Sequence, residues 1–290
     1  VKPKISGFTF LRNAVELGFP FEASLRSLLP IVDELVIAVG RSKDDTLERI
    51  RAIGDSKIRI IETVWNERME QKGFVYAQQK MIAQYACTGD WAFYLEGDEV
   101  LHEADHAAIL AAVERHDADP EVEALAFDYL HFFGSADWQA ITPGWYRREC
   151  RMIRNTIRTY APDGLYWVVM DHNRRGRYPR AALAGARIFH YGHARSVAKM
   201  QAKMNQVSKF WSSEAPRITY LQMDPQGLRR FAGKHPSFVK EWIAAECDPD
   251  FLPNAKAQLS SKDRKYRVSM KLESWLGVDF SRRHFKLVRS

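Results

Sequence analysis

A chain of 290 residues with 46% hydrophobic and 27% charged side chains can bury a sizeable core and is too apolar to be disordered. Cys87, Cys150 and Cys247 are odd in number, widely spaced and outside any C-x-x-C spacing, so neither a disulfide framework nor a zinc site is suggested and buried reduced thiols are expected. No run approaches the roughly 18 apolar residues of a membrane span. No signal-peptide core follows Val1-Lys2-Pro3-Lys4, so a cytosolic protein is expected. The net charge of +7 belongs to the tail: residues 201–290 hold 17 Lys or Arg against 9 Asp or Glu, while the rest is near neutral. Such a face suits anionic lipid, acidic glycan or nucleic acid, or is a plain solvated helical surface.

From the N-terminus, residues 4–10 lean apolar, and Glu34-Leu35-Val36-Ile37-Ala38-Val39 is a β-branched run ending at Gly40, the pattern of two buried parallel strands. Between them, residues 14–29 have helical spacing with apolar Phe21, Leu25, Leu28 and Leu29, which completes a β-α-β unit. Asp44 or Asp45 then caps a helix over residues 46–53, followed by a strand over 57–62 and a Gln-rich helix over 69–85. The aromatic run Trp91-Ala92-Phe93-Tyr94-Leu95 reads as the next strand. This alternation predicts an α/β fold, a mostly parallel sheet with helices on both faces. Beyond it come a helix over 104–116 and strands over 124–133, 146–153 and 186–191. Val197, Met200, Met204 and Val207 recur at helical spacing, and helix is expected intermittently to Trp275.

Three stretches carry chemistry. In Phe93-Tyr94-Leu95-Glu96-Gly97-Asp98-Glu99 a hydrophobic strand ends in three acids around one glycine. Ligands of open α/β sheets sit beyond the carboxyl ends of strands, and hard oxygen donors there suit Mg²⁺ or Mn²⁺ bridging a diphosphate. Alternatively, Asp98 or Glu99 caps a helix. The loop Gly40-Arg41-Ser42-Lys43-Asp44-Asp45-Thr46 can reach a base or ribose, or serve as an ordinary turn. Neither a Walker spacing nor G-x-G-x-x-G follows the first strand, which argues against P-loop and dinucleotide sites. Finally, Arg187-Ile188-Phe189-His190-Tyr191-Gly192-His193-Ala194-Arg195 is a strand ending in two His and an Arg. Neutral imidazole suits a Mn²⁺ site and Arg195 can neutralise phosphate, whereas a packed His on a strand edge is the plainer reading. Trp138, Trp145, Tyr146, Tyr166 and Trp167 offer faces for a sugar ring or fill core, and Arg147, Arg148, Arg151 and Arg154 are dense enough to meet an anionic acceptor.

In their order, Thr9-Phe10-Leu11-Arg12-Asn13, the 40–46 loop and Glu96-Gly97-Asp98 resemble the family 2 glycosyltransferases with the GT-A fold, over roughly residues 4–210. The resemblance implies a catalytic domain over 1–205, with a nucleotide-sugar half at 1–103 and an acceptor half at 104–205, and a basic helical extension over 206–290. It implies a UDP- or GDP-sugar donor held by Phe10, Arg12, Gly40, Arg41, Ser42, Asp45, Glu96 and Arg195. Mn²⁺ or Mg²⁺ would be held by Asp98, Glu96, His190 and His193. Inversion at the anomeric carbon needs a carboxylate base, with Asp171 expected, Asp163 its rival, and Glu149 and Asp128 behind them. Glu96 replaces the family's first Asp, and Gly40-Arg41 replaces its paired acids. The implied activity is sugar transfer to a hydroxyl of a glycan or glycolipid in bacterial surface-polysaccharide or lipopolysaccharide assembly, with the C-terminal region touching anionic membrane at the inner face. A nucleotidyltransferase acting on sugar phosphates is the alternative. A nucleic-acid-binding protein is a third reading, and no nucleic-acid partner is expected because no recognised motif accompanies the basic tail.

Overall fold

The computed structural model describes residues 2–69, 71–173, 175–210 and 222–288. In chain order it contains β1 (Ile5–Leu11), α1 (Phe21–Leu28), β2 (Glu34–Gly40), α2 (Thr46–Ala52), β3 (Ile58–Thr63), α3 (Phe74–Tyr85), β4 (Trp91–Tyr94) and β5 (Glu99–Leu101). There follow α4 (His106–His116), β6 (Ala124–Phe133), β7 (Ser135–Ala140), β8 (Arg148–Arg154), β9 (Thr159–Tyr160), β10 (Val168–Met170), β11 (Gly176–Arg177) and β12 (Arg180–His193). The chain continues through α5 (Val197–Val207), β13 (Leu228–Arg230), α6 (Lys240–Glu246), α7 (Ser261–Leu276) and β14 (Lys286–Leu287).

The main sheet runs β13-β7-β6-β8-β4-β1-β2-β3, and β12 pairs with β6, β5 and β14. Its first half, β3-β2-β1-β4, is parallel, as βα alternation requires. The second half is mixed: β8 is antiparallel to both β4 and β6, while β12 is parallel to β6. Alternation along the strands feeds two cores. Leu35, Ile37 and Val39 of β2 meet Leu25 and Leu28 of α1 and Ile109 of α4 on one face, and Val36 and Ala38 meet Ala83 of α3 and Trp167 on the other. Gly7 lets α1 press onto β1, since a Cβ there would stand 2.8 Å from Leu28 Cδ2.

Two expected helices start late, for backbone reasons. Gly18 at φ +60° and Pro20 at the N-cap confine the first helix to α1. Lys72 at φ 48° and Gly73 at φ 73° delay α3 to Phe74. The strand expected at 186–191 runs from Arg180, its register against β6 breaking between Leu183 and Arg187 around Gly185 at φ +66°. Strands of the expected C-terminal extension join the main sheet: β13 pairs with β7, β14 pairs with β12, and Phe285 is buried in the same core cluster as Trp167. Residues 211–221 of that extension lie outside the described residues. No described helix is long and apolar enough to cross a membrane.

Candidate functional site

Because β1, β2, β4, β6 and β12 point the same way, the ends of β1 and β4 and the His190–His193 end of β12 share one edge of the sheet. A cleft of about 630 Å³ opens there, of the size and position that ligand sites of α/β sheets take. Its walls are the loop after β1 (Phe10 to Asn13, Glu16, Leu17, Phe19), Trp65 and Glu67 after β3, Tyr76 of α3, the turn Glu96 to Asp98, Gly164 and Leu165, and Lys203, Asn205 and Val207 of α5 with Lys209 beyond it.

The loop after β1 is braced by the loop after β2. Asn13 adopts φ 50°, a conformation asparagine tolerates. Its Oδ1 accepts from the Lys43 amide at 2.9 Å and its own amide donates to Ser42 Oγ at 3.0 Å. Thr46 Oγ1 accepts from the Ala14 amide at 2.8 Å, and Asp44 accepts from the Glu16 amide at 2.7 Å. This bracing is the work of the 40–46 loop. Gly40, Arg41 and Ser42 line a smaller depression of about 290 Å³ instead of the main cleft. Trp65 explains the separation, because a Cβ on Gly40 would stand 2.3 Å from its Nε1. Asp45 is exposed, and it is Asp44 that ties the turn.

The acidic turn divides its three carboxylates. β5 reverses direction and pairs antiparallel with β12, placing Glu99 opposite His190, and successive side chains of a strand face opposite ways. Glu99 therefore turns inward. It accepts from the buried Arg151 guanidinium at 2.6 and 2.9 Å and from Tyr129 Oη at 2.7 Å. Glu96 lines the cleft, drawn to Arg151 at 3.0 Å; desolvation, then the neighbouring Glu99 charge, push its carboxyl up to about 8 against the pull of Arg151. Gly97 allows the turn, since a Cβ would meet Leu11 Cδ2 at 2.7 Å.

Asp98 faces the other way, and its main-chain oxygen is held by the Tyr191 amide at 2.8 Å. Its Oδ2 accepts from Lys203 Nζ at 3.1 Å, and its Oδ1 lies 3.7 Å from His190 Nε2. Desolvation alone would raise its pKa, but the charge of Lys203, with Arg195 behind it, outweighs that and holds it well below the usual carboxylate range. Burial lowers the pKa of both His190 and His131, so both are neutral near pH 7.

The hydrogen bonds then determine which nitrogens carry protons. His131 Nε2 lies 2.7 Å from the Tyr146 carbonyl oxygen, which can only accept, so this nitrogen donates. Neutral His131 must accept at Nδ1, and the 2.8 Å contact there makes His190 Nδ1 the donor. His190 Nε2 is left with its lone pair toward Asp98, so two acceptors face each other. Gly192 borders the same space: a Cβ there would stand 2.6 Å from His190 Nε2 and 2.8 Å from Asp98 Oδ2. Imidazole nitrogen and carboxylate oxygen side by side are the donor types that fit a divalent cation taking its remaining ligands from phosphate and water. Lys203, bonded to Asp98 and to the Gly192 carbonyl at 3.1 Å, supplies positive charge beside it.

The wider ligand set is not gathered, for among the described residues no three or more His, Cys, Asp or Glu converge as a metal cluster. Glu96 is turned to Arg151, and the His193 ring is 6.0 Å from that of His190, packed on Trp145 and Phe133. Arg195, expected at phosphate, is buried behind the cleft wall formed by Leu17 and Phe19. It donates to the Leu17 carbonyl and lies against the Phe19 and Trp242 rings.

The expected bases are used elsewhere. Asp171 accepts from the amides of Asn173 at 2.9 Å and Arg175 at 2.8 Å, closing the β10–β11 hairpin. Its charge acts on Arg177, which pairs with Glu123 at the start of β6, the opposite end of the sheet from the cleft. Asp163 caps its own turn through the Leu165 amide at 2.8 Å, beside the cleft wall at Gly164. Glu149 pairs with His284 and Asp128 with Arg148. The Arg-rich strand is likewise internal: Arg147 meets Glu273 and Asp279, Arg151 meets Glu99, and Arg154 donates to four main-chain oxygens. None of the five expected aromatics lines the cleft; Trp167, for one, is buried and donates to Gln84 at 2.7 Å.

Phe10 and Arg12 line the cleft, and beside them Trp65, Glu67, Tyr76 and Lys209 gave no sequence signal. Trp65, Tyr76 and Phe10 pack with centroids 5.4 to 6.0 Å apart and form an aromatic wall. Arg12 and Lys209 converge on Glu67 at 2.5 and 2.6 Å, pushing its carboxyl down to about 2. Lys80 is buried between the Tyr94 and Trp167 rings and donates to the Gly164 and Leu165 carbonyls, pinning the opposite wall. Only the helical register of Lys203 within the 197–207 pattern could have hinted at its place.

Fold and site together define an α/β protein with an aromatic and cationic cleft at the carboxyl end of its parallel strands. No protein-family model matches the sequence, and no curated protein does. Solved structures with partial similarity include TarS of S. aureus, at 12% identity and TM-score 0.36, over 52% of this chain and 47% of that one. Another is glucosyl-3-phosphoglycerate synthase from Mycobacterium tuberculosis in complex with Mn²⁺, uridine diphosphate and phosphoglyceric acid, at 19% and 0.32, over 44% of this chain and 43% of that one. The chain spans about half the length of the solved structures it matches. At such distance the chemistry must be read from the cleft's own residues.

Proposed function

We propose that the cleft binds a nucleotide-diphosphate sugar and transfers its sugar to a hydroxyl of a glycan or glycolipid acceptor, as an inverting GT-A-like enzyme. The observation that carries this is Asp98, which lines a cleft with an aromatic wall and has His190 and Gly192 packed behind it. Phe10, Trp65 and Tyr76 suit a nucleobase, and Arg12, Lys43, Lys203 and Lys209 suit the diphosphate. Asp98 and His190 would hold Mn²⁺ or Mg²⁺, which when bound neutralises charge on the leaving diphosphate. The chain's own part is to orient the donor, with His131 holding His190 in the tautomer that presents its lone pair. The acceptor oxygen forms a bond to the anomeric carbon as the bond to the diphosphate breaks, and its proton goes to a carboxylate. Asp163, beside the cleft wall, takes that role in preference to Asp171. A UDP- or GDP-sugar is the donor class we favour, and the setting we infer is surface-glycan or lipopolysaccharide assembly, with the C-terminal region in peripheral contact with anionic membrane.

Calorimetry with UDP-, GDP-, CMP- and dTDP-sugars, with and without Mn²⁺, tests this reading. One of them should bind in a Mn²⁺-dependent way, and Asp98→Asn should abolish that dependence. Pyrophosphate release from a nucleoside triphosphate would reassign the protein as a nucleotidyltransferase.

A further inference from the structure

α7 is amphipathic with its apolar stripe facing outward. At 100° per residue, Asp263, Tyr266, Arg267, Met270 and Glu273 share one side. That side is fastened to the body. Arg267 pairs with Asp224 at 2.7 Å through both nitrogens, Glu273 pairs with Arg147 at 2.7 Å, and Tyr266 lies against Gly144. Val268, Leu272, Trp275 and Leu276 stand on the opposite crest, all exposed, Trp275 by 80%. Arg264 and Lys271 flank the stripe on one side and Lys262 on the other, while Lys265 stands within it between Leu272 and Leu276, all exposed. Both acids of the helix are on the inner side: Asp263 in the capping box with Ser260, Glu273 on Arg147. Beyond Gly277 the same character continues in exposed Val278, Phe280, Arg282 and Arg283.

We infer that this outer face of α7, centred on Trp275, is the surface by which the protein lies on an anionic lipid bilayer. An apolar crest edged by Arg264, Lys271 and Lys262 and carrying no acid fits that occupant, because the apolar side chains enter the acyl boundary while the cations meet lipid phosphates. A second copy of the chain is disfavoured, since a two-fold pairing would set the basic rims against each other. Indole at a helix end suits the headgroup level. The inference deepens the membrane-contact part of the proposed function and does not depend on the donor chemistry.

Co-sedimentation of the full chain with phosphatidylcholine vesicles, with and without phosphatidylglycerol, tests it. Binding should require the anionic lipid and weaken with salt. The double variants Leu272→Glu/Trp275→Glu and Lys265→Glu/Lys271→Glu should each lower partitioning at least about tenfold, with unchanged circular dichroism and unchanged donor binding by calorimetry. Anionic-vesicle binding that survives both variants would overturn this face while leaving membrane contact standing, and no vesicle binding at all would overturn both. A dimer in sedimentation velocity that Leu272→Glu/Trp275→Glu dissociates would overturn the inference by giving the face to a second copy.

Discussion

Replacing Gly192 with alanine tests Asp98 and His190 as metal donors with a single methyl group. Its φ lies outside the left-handed region, so an L side chain brings no backbone strain there, and the effect is confined to what the methyl meets. It would stand 2.6 Å from His190 Nε2 and 2.8 Å from Asp98 Oδ2, both inside ordinary contact distance. His190 cannot easily retreat, because its other nitrogen is bonded to His131, which is bonded to the Tyr146 carbonyl. Overpacking of this kind costs about 1–3 kcal/mol, or a fall in Tm of several degrees for a chain of this size, at about 2–4 °C per kcal/mol. The larger effect falls on the ligand, since the methyl takes the space both donors face. Mn²⁺-dependent donor affinity should drop at least about tenfold, that is about 1.4 kcal/mol, while metal-independent nucleotide affinity changes little. Calorimetry with and without Mn²⁺ on the folded variant reads both quantities. A Gly192→Ala protein with wild-type Mn²⁺-dependent affinity would refute that pair of donors.

Glu67 competes with the diphosphate for Arg12 and Lys209, so Glu67→Gln should tighten nucleoside-diphosphate binding about two- to fivefold at low salt, with the gain fading at high salt, as measured by titration calorimetry. Asp163→Asn should lower kcat about 100-fold or more with little change in donor affinity, whereas Asp171→Asn should leave turnover intact and only loosen the β10–β11 hairpin; the reverse result in a sugar-transfer assay would restore Asp171 as the base. Glu34 is desolvated, yet hydrogen bonds from Ser6, Thr88 and Arg59 hold its pKa at about 2. A depressed carboxyl contributes stability that is present above its ordinary pKa of 4.5 and is lost as pH falls toward 2, so Glu34→Gln should flatten that acid limb of a Tm-against-pH curve.

The nucleotide-side half was legible because its elements are local. The β-branched run ending at Gly40 and the aromatic run ending at Leu95 carry their own signals for buried strands, and parallel pairing follows from the helices between them. The late helix starts at Phe21 and Phe74 were missed because left-handed Gly18, with Pro20, and the left-handed pair Lys72-Gly73 interrupt otherwise helical spacing. Arg151 looked like an acceptor contact because residue type carries no direction; burial and the Glu99 carboxylate make it internal.

By itself the sequence determined the α/β class and the placement of an acidic turn at a strand end, since periodicity and strand-end chemistry are properties of neighbouring residues. Only the tertiary structure decided which acids face the cleft and which is buried. That choice rests on β5 pairing antiparallel with β12, which turns Glu99 to Arg151 and Asp98 to His190 and Lys203. The partners come from positions 151, 190 and 203, and such long-range neighbours leave no periodicity to read. The same holds for α7: its two faces are local pattern, but which of them meets the protein was set by Asp224 and Arg147.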